Sequence, residues 1–423
     1  MRLPRYRFVA LGVVWCAYLV VFLSRLCVGP LAPFLKESFD LSNAQIGGLT
    51  SATAVAYAPT LIFAGWLADR IGVRRALLIG TLITGVCIGA VALAPSYGVM
   101  LVLLGLSGFG CGFIYPTAVK AIMVWFPARE RATAVGVNQA AVNVSGMLGA
   151  AIMPALALAF SWRAGFIFAA GLAFAVCGIA VALYRDPRPG ESPTGQDAAG
   201  QAAVYEIEQG LPSVTGDEAA DRAALRPGFL AVVRSRDILL LGLAALFLCM
   251  VEFAALAHLV LFLNVAWGYA VAAAAGLLAL CQAAGAIGKP LSGLISDRLL
   301  GRRRKAPLLA LAGLAGLACV ILALTGPDQT RLLWAALIML GIGAVGWGGL
   351  FGTLAGETAG PAAAGAAAGV TAAIDNVGIF LGPPLFGLIV DRTGSYAPAW
   401  WTMVAAAGMA VLLLAFVRER RTA

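Results

Sequence analysis

Long apolar segments recur along almost the whole chain, and they limit its fold more than any other feature of the sequence. A helix of roughly 20 apolar residues crosses a hydrocarbon core of about 30 Å. Twelve segments reach that length, at 8–33, 46–68, 76–94, 98–124, 133–158, 163–184, 237–263, 270–296, 306–325, 332–356, 365–390 and 396–417. The alternating apolar pattern of membrane β-strands does not occur in them. The sequence therefore predicts an all-α membrane protein with twelve transmembrane helices.

Composition and cysteine placement exclude several other classes of protein. Of the 423 residues, 61% are hydrophobic and 12% are charged, whereas soluble domains carry about 25% charged residues. The 8 cysteines lie singly inside the predicted helices, without the paired spacing of a metal site. The sequence also lacks a phosphate-binding loop and a serine-histidine-aspartate grouping. We therefore expect no metal, no cofactor and no enzymatic activity.

Basic residues are concentrated on one side of the predicted membrane. The net charge is +9, and only four bases fall on the sparsely charged side, namely Lys36, Arg163, Arg331 and Arg392. By the positive-inside rule, this asymmetry predicts that both termini are cytoplasmic. The bases thus orient the chain in its lipid bilayer, and we do not expect nucleic-acid binding. The first segment has no small-residue cleavage site, so we expect it to be a retained helix. The sequence predicts a monomer in a bacterial inner membrane.

A polar segment divides the chain into two halves. Residues 185–236 are rich in proline, glycine, serine and mixed charges, which is the composition of a linker. We expect a six-helix bundle at 1–184, a cytoplasmic linker at 185–236 and a second six-helix bundle at 237–423. The second segment of the first half ends in the sequence GWLADRIGVRRA. A similar sequence, GLISDRLLGRRRK, occurs in the second half. Such duplication is typical of transporters whose halves rock around a site at their interface.

The repeated phrase resembles the GxxxD(R/K)xGRR signature of the major facilitator superfamily. The matching residues are Gly65, Asp69, Arg70, Gly72, Arg74 and Arg75 in the first copy, and Gly293, Asp297, Arg298, Gly301, Arg302 and Arg303 in the second. Each copy departs from this signature at one position: Val73 stands where the first base after the glycine is expected, and Leu300 adds a residue before Gly301. The resemblance implies a cytoplasmic conformational latch formed by Gly65, Asp69, Arg70, Arg74, Asp297 and Arg298. The alternative is that these charges only set the membrane orientation.

Ionisable residues inside the predicted helices are the main functional clues, because each costs about 2.5–3.5 kcal/mol at the centre of a membrane helix. There are five, together with one histidine: Arg25, Lys120, Glu252, Lys289, Asp375 and His258. Three bases against two acids favour an anionic substrate.

The three bases are predicted to bind that substrate. The guanidinium of Arg25 suits a carboxylate, and its surroundings resemble the first helix of the anion:cation symporter branch of the superfamily. Lys289 precedes Pro290, as in the basic-Pro pair of monocarboxylate and oxalate transporters. Lys120 resembles the lysine before Trp-Phe-Pro in hexuronate-type members. The alternatives are snorkelling to the membrane surface for Arg25 and Lys120, and a structural ion pair for Lys289.

Glu252, Asp375 and His258 are predicted to couple transport to protons. A desolvated carboxylate holds a proton near neutral pH and releases it when a cation or water approaches. The alternatives are static ion pairs with Lys289 or Arg25, and a structural histidine. Relatives that bind dicarboxylates often have a base in the eleventh helix, so Asp375 favours a monoanion carried with a proton.

Neutral polar side chains are predicted to complete the substrate site, although hydrogen bonds between helices would explain each of them equally well. They are Tyr57, Tyr115, Asn138, Gln139, Asn143, Gln282 and Asn376.

These patterns together predict a secondary transporter that takes up a small organic anion, a monocarboxylate or hydroxy acid, with protons by alternating access. Three alternatives stay open at this point. One is proton-driven efflux of hydrophobic or cationic compounds, which requires a cavity dominated by acids and aromatic rings. Another is a porter for a small inorganic anion such as nitrate or cyanate. The last is a sensor that keeps the transporter scaffold without transporting.

Overall fold

The computed structural model describes residues 3–186, 232–300, 303–359 and 364–419. All regular secondary structure in these ranges is helical, without a strand. The helices before the polar segment are α1 (Leu3–Leu26), α2 (Val28–Phe39), α3 (Asn43–Ile71), α4 (Val73–Val91), α5 (Tyr97–Trp125), α6 (Ala128–Ala159) and α7 (Trp162–Leu183). Those after it are α8 (Arg236–Val265), α9 (Val271–Arg298), α10 (Lys305–Leu324), α11 (Thr330–Leu340), α12 (Gly348–Ala359), α13 (Ala364–Thr393) and α14 (Ala397–Phe416).

These helices confirm the prediction of an all-α protein with twelve membrane crossings. Among the described residues, 11 segments are long and apolar enough to span a membrane. Helix α3 lies between the first and second of these, and its 29 residues are long enough to supply the second crossing in chain order. The first crossing joins α1 and α2, and the tenth joins α11 and α12. The expected linker falls largely outside the described residues, which omit 187–231.

Contacts group the chain into two compact units. The first unit comprises Met1–Asp197 and Leu256–Ala279, and the second comprises Ala198–Ala255 and Leu280–Ala423. The end of α8 thus packs with the first unit, where a Cβ on Gly29 would lie 2.0 Å from the carbonyl oxygen of Leu256. The division expected from the sequence, at 184 and 237, stays a prediction.

A break in the first crossing lies next to Arg25. Pro30 has no N–H and its ring would clash with the carbonyl of Leu26 in a continuous helix. The helix accordingly ends at Leu26 and resumes at Val28. Arg25 therefore occupies the last turn of α1, beside a bend at Cys27, where the backbone keeps α-helical dihedral angles.

Close helix contacts in the first unit depend on glycines of α5. A Cβ on Gly108 would lie 2.1 Å from the carbonyl oxygen of Thr53 on α3, and one on Gly110 would lie 2.8 Å from that of Gly80 on α4. Only a residue without a side chain allows backbones to approach this closely. The structure thus supports tight packing as the role of this glycine-rich stretch.

Candidate functional site

The Arg25 side chain is buried among aromatic rings of the first unit. It is 4% exposed, and its Cζ lies 4.3 Å from the ring centroid of Tyr57 and 5.8 Å from that of Phe22. The negative face of an aromatic ring attracts a guanidinium, most strongly where water is excluded. A guanidinium is planar and its N–H groups lie in that plane, so two of them can pair with a carboxylate.

Three further polar side chains extend this cluster. Tyr18 donates a hydrogen bond of 3.0 Å to Oε1 of Gln139 on α6. Its ring centroid lies 4.8 Å from that of Phe22 and 6.3 Å from that of Tyr115. The structure therefore brings together four residues predicted from the sequence, Arg25, Tyr57, Tyr115 and Gln139. Sequence reasoning missed Tyr18 and Phe22, although helical spacing places both on the same face of α1 as Arg25.

The remaining predicted residues of the first unit lie in different surroundings. Asn138 and Asn143 are buried in α6, at 2% and 5% exposure, and Oδ1 of Asn138 has no hydrogen-bond partner within the described residues. Lys120 donates a hydrogen bond of 2.9 Å to the carbonyl of Ala68, in the last turn of α3. Its ammonium thus neutralises the negative end of that helix, next to the first motif copy. His258 is fully buried in the part of α8 that packs with this unit.

In the second unit, the Glu252 carboxylate lies at the centre of a polar cluster. Its Oε2 accepts a hydrogen bond of 3.1 Å from Nε1 of Trp347, and the Lys289 ammonium acts on it electrostatically. Gln282 lies two turns before Lys289 on α9 and is 3% exposed, and its Oε1 has no hydrogen-bond partner among the described residues. Three predicted residues therefore share this region with Trp347, which sequence reasoning missed.

Asp375 and Asn376 lie at a different depth from Glu252. Gly378 of α13 contacts Leu246 of α8, and this register places Asp375 beside residue 243. At 1.5 Å per residue, Asp375 is about 13 Å from Glu252 along the helix axis. Asn376 donates hydrogen bonds of 2.7 Å to the carbonyl of Ala372 and 3.2 Å to Oδ1 of Asp375. The two predicted coupling carboxylates therefore belong to separate environments.

The first copy of the repeated motif is only partly described. The surroundings of Gly65 and of the Asp69 side chain lie outside the described part of the structure, and Arg70 is exposed in the last turn of α3. Asp186 instead supplies the carboxylate at the start of α4, where its Oδ1 accepts hydrogen bonds from the backbone N–H groups of Val73, at 3.0 Å, and Arg74, at 3.3 Å. Arg74 in turn donates to the carbonyl of Val181, near the end of α7.

The second half repeats this arrangement at α10 and α14. Oε1 of Glu419 accepts hydrogen bonds from the backbone N–H groups of Arg304 and Lys305 at the start of α10. Nζ of Lys305 donates to the carbonyls of Ala415, at 2.7 Å, and Val417, at 2.8 Å, at the end of α14. An acid thus caps one helix start and a base caps one helix end in each half, as the helix dipoles favour. We call each pair of contacts a clasp.

Asp297, the acid of the second motif copy, is paired with a base that the sequence interpretation did not select. Arg304 binds its Oδ1, and Nε of Arg304 lies 3.3 Å from Oε1 of Glu357. Burial acts to lower the pKa of Arg304, but hydrogen bonds to Asp297 and Glu357 and the negative charges of these two carboxylates together outweigh burial and raise it. Arg298 is exposed at the end of α9.

Removal of Asp186, the acid of the first clasp, is expected to lower the free energy of unfolding. Asp186→Ala leaves two N–H groups at the start of α4 without their acceptor, at a cost of about 1–2 kcal/mol. Asp186→Asn is the matched control, because asparagine still accepts a hydrogen bond at a helix start. Thermal unfolding of both variants in one detergent measures the difference. An alanine variant as stable as the wild type would contradict the capping role.

Comparison with known proteins agrees with this architecture. The family model described as Major Facilitator Superfamily matches residues 14–383. The probable sulfoacetate transporter SauU of Cupriavidus necator is 32% identical over 161 residues, which are 38% of this chain and 37% of that protein. The hexuronate transporter of Escherichia coli K12 is 28% identical over 214 residues, 49% of each chain. The matched parts therefore span about two fifths to about half of these relatives.

A solved structure extends the similarity over nearly the full length. The crystal structure of a bacterial homolog to the human lysosomal transporter Spinster, inward-facing and unoccupied, has a TM-score of 0.78 and 21% identity, and the match covers 97% of this chain and 96% of that one. At this identity the likeness supports the fold and not a substrate. The family match over most of the chain, twelve helical crossings and a repeated motif together establish that the chain belongs to the major facilitator superfamily of membrane transporters.

Proposed function

We propose that this transporter takes up a small organic anion, a monocarboxylate or hydroxy acid, together with protons. The named relatives support the substrate class, because their names specify sulfoacetate and hexuronate. The fold supports transport by alternating access, in which repeated halves expose a site to each side of the membrane in turn.

The buried guanidinium of Arg25 is the observation that carries the proposal. The Arg25 side chain is 4% exposed within a membrane crossing, and burial of a positive charge there costs free energy. Charged residues that persist in such positions usually have a function. The guanidinium lies over the Tyr57 ring, with its Cζ 4.3 Å from the ring centroid. Its in-plane N–H groups then suit two parallel hydrogen bonds to a carboxylate or sulfonate.

The tyrosines near Arg25 favour a substrate that also carries hydroxyl groups. Tyr18 and Tyr115 offer phenol oxygens close to the guanidinium, and Gln139 already accepts a hydrogen bond from Tyr18. Phenol and amide groups both donate and accept, so they match the hydroxyls of a hydroxy acid. A hydrophobic or cationic substrate would not form an ion pair with the guanidinium in this cluster.

Glu252 is the proposed site of proton coupling. Its carboxylate lies between a fixed donor, Trp347, and a cation, Lys289. A carboxylate in this position gains a proton when the positive charge of the lysine is engaged elsewhere, and loses it when that charge returns. Asp375 and His258 stay as secondary proposals for proton transfer, since both lie within membrane crossings.

A thermal-shift panel on the purified chain tests the substrate class. The panel contains acetate, lactate, glucuronate and sulfoacetate, with lactamide and glucose as neutral controls and nitrate as the inorganic anion. A ligand at about 100 times its Kd stabilises the folded state by about 2.7 kcal/mol, which raises the unfolding temperature. We expect at least one organic anion to do so and the matched neutral compounds not to.

Other outcomes of the panel would redirect the proposal. Stabilisation by nitrate alone would indicate an inorganic anion porter, and stabilisation by organic cations alone would indicate efflux. Uptake of the stabilising compound by proteoliposomes then separates a transporter from a sensor.

The membrane context is part of the same proposal. We propose that the chain acts as a monomer in a bacterial inner membrane, with both termini and the 185–236 segment on the cytoplasmic side and the bundles divided at 184 and 237. The asymmetric placement of the bases supports this orientation. Cysteine labelling from one side of the membrane, at introduced positions in the two termini, tests it.

A further inference from the structure

The tenth crossing is interrupted close to the Glu252 carboxylate. Residues Gly341–Val345 form a π-helical turn between α11 and α12, followed by a turn at Gly346 and Trp347. A Cβ on Gly341 would lie 2.1 Å from the carbonyl oxygen of Cys281 on α9, so this wide turn fits against α9 only because glycine occupies the position. A π-helical turn shifts the following side chains around the helix and is often found at functional sites.

The interruption gives the Trp347 indole a fixed position. The side chain is 5% exposed, and its ring packs edge to face on Phe351, with centroids 5.1 Å apart and an interplanar angle of 75°. Its Nε1 donates to Oε2 of Glu252 over 3.1 Å. An indole N–H only donates and does not titrate. Trp347 therefore offers Glu252 the same donor at every physiological pH.

Two neighbouring helices carry further charged and titratable groups near Glu252. From α9, the Lys289 ammonium and the Cys281 thiol lie within electrostatic range of the carboxylate. From α13, which packs along α8 through Gly378 and Gly382, the described charged side chains are Asp375, Asp391 and Arg392, each about 10 Å or more from the level of Glu252 along the helix axis. Lys289 is the cation whose charge acts on the carboxylate, and its long side chain can change partner.

We propose that Trp347 is a positioning residue for proton coupling, which holds the Glu252 carboxyl in place while Glu252 exchanges its proton. The proposal rests on the proposed function only in assigning the transported proton to Glu252. The proton enters and leaves one carboxyl oxygen as water reaches it, while the indole N–H continues to donate to the other oxygen. Without this donor, Oε2 of Glu252 loses the hydrogen bond that holds it toward Trp347.

The proposal predicts a shift in the pH at which Glu252 is half protonated. A donor stabilises the ionised carboxylate more than the neutral acid, so its removal favours the protonated form. Trp347→Phe removes the N–H and keeps a ring against Phe351. We expect its protonation midpoint to move upward by about one pH unit.

Infrared difference titration of the full chain in lipid nanodiscs measures this midpoint without a substrate. The band of the protonated carboxyl is followed from about pH 4 to about pH 9 and assigned to Glu252 by its loss in Glu252→Gln. Trp334→Phe is the matched control, because Trp334 lies on α11 in the same crossing and is 47% exposed. We expect the control to titrate like the wild type.

Each outcome of the titration has a distinct meaning. A midpoint in Trp347→Phe equal to that of the wild type would overturn the positioning role and leave the role of Glu252 intact. If Glu252→Gln removes no titrating band, Glu252 does not exchange a proton in this pH range, and its proposed role in proton coupling is wrong.

If Trp347→Phe does not fold, ultraviolet resonance Raman spectra of the wild type and Glu252→Gln test the hydrogen bond between Trp347 and Glu252 instead. We expect the carboxamide to weaken the hydrogen-bond marker of one tryptophan, and identical spectra would overturn the proposal.

Discussion

Replacement of Arg25 by alanine is expected to abolish uptake of the organic anion while leaving expression and folding intact. The loss of two charge-assisted hydrogen bonds costs about 3 kcal/mol, which lowers affinity at least about 100-fold. Truncation also removes the cation that packs on Tyr57, but the ring stays in place as part of the apolar core. Binding by thermal shift and uptake by proteoliposomes should fall together.

Two matched variants separate this effect from a general loss of structure. Arg25→Lys keeps the charge but not the planar pair of donors, so we expect weak binding and partial uptake. Arg163 also stacks on a ring, with its Cζ 4.4 Å from the centroid of Trp162, but its side chain is exposed. Arg163→Ala should therefore transport normally. Full uptake by Arg25→Ala would remove the basis for an anionic substrate.

Glu252→Gln is expected to eliminate proton-driven accumulation while leaving exchange of substrate across the membrane. The carboxamide still accepts the hydrogen bond from Trp347, so the cluster keeps its packing but cannot carry a proton. A pH difference of about 1 unit drives up to about tenfold accumulation per proton in the wild type. We expect the variant to reach a ratio of about 1 in the same proteoliposomes.

Asp375→Asn provides the comparison, because Asp375 lies about 13 Å from Glu252 along the helix axis and hydrogen-bonds to Asn376. A variant at Asp375 that loses accumulation while Glu252→Gln retains it would transfer the coupling role to Asp375. Unchanged pH dependence in both variants would rule out coupling by these carboxylates. Measurement of substrate exchange in parallel shows that each variant still binds and moves its cargo.

The fold was predictable from the sequence because its main signals are local. A membrane helix satisfies its own backbone hydrogen bonds, so apolar length alone indicates where each crossing lies. The duplicated motif then indicates two related halves. The individual ionisable residues could also be identified from the sequence, because charged residues such as Arg25 are rare within apolar segments.

The partners of these residues depended on tertiary structure. Lys120 matched a family pattern for substrate binding, yet in the structure it donates to the carbonyl of Ala68 at the end of α3. The sequence analysis selected neither Asp186 nor Glu419, but each caps the start of a helix far away in sequence. A side chain's hydrogen-bond partner depends on which helices become neighbours, and no local pattern contains that information.

The sequence alone thus determined the number of crossings, the repeat and the set of ionisable residues within the crossings, because these properties follow from the transfer of individual side chains into lipid. Only the tertiary structure decided that Arg25 packs on Tyr57, that Glu252 meets Trp347 and that Asp375 lies at another depth. The reason is physical: a ring stacking or an N–H donor requires two helices at a specific register. That register results from close packing at residues such as Gly108 and Gly378, whose neighbours come from distant segments.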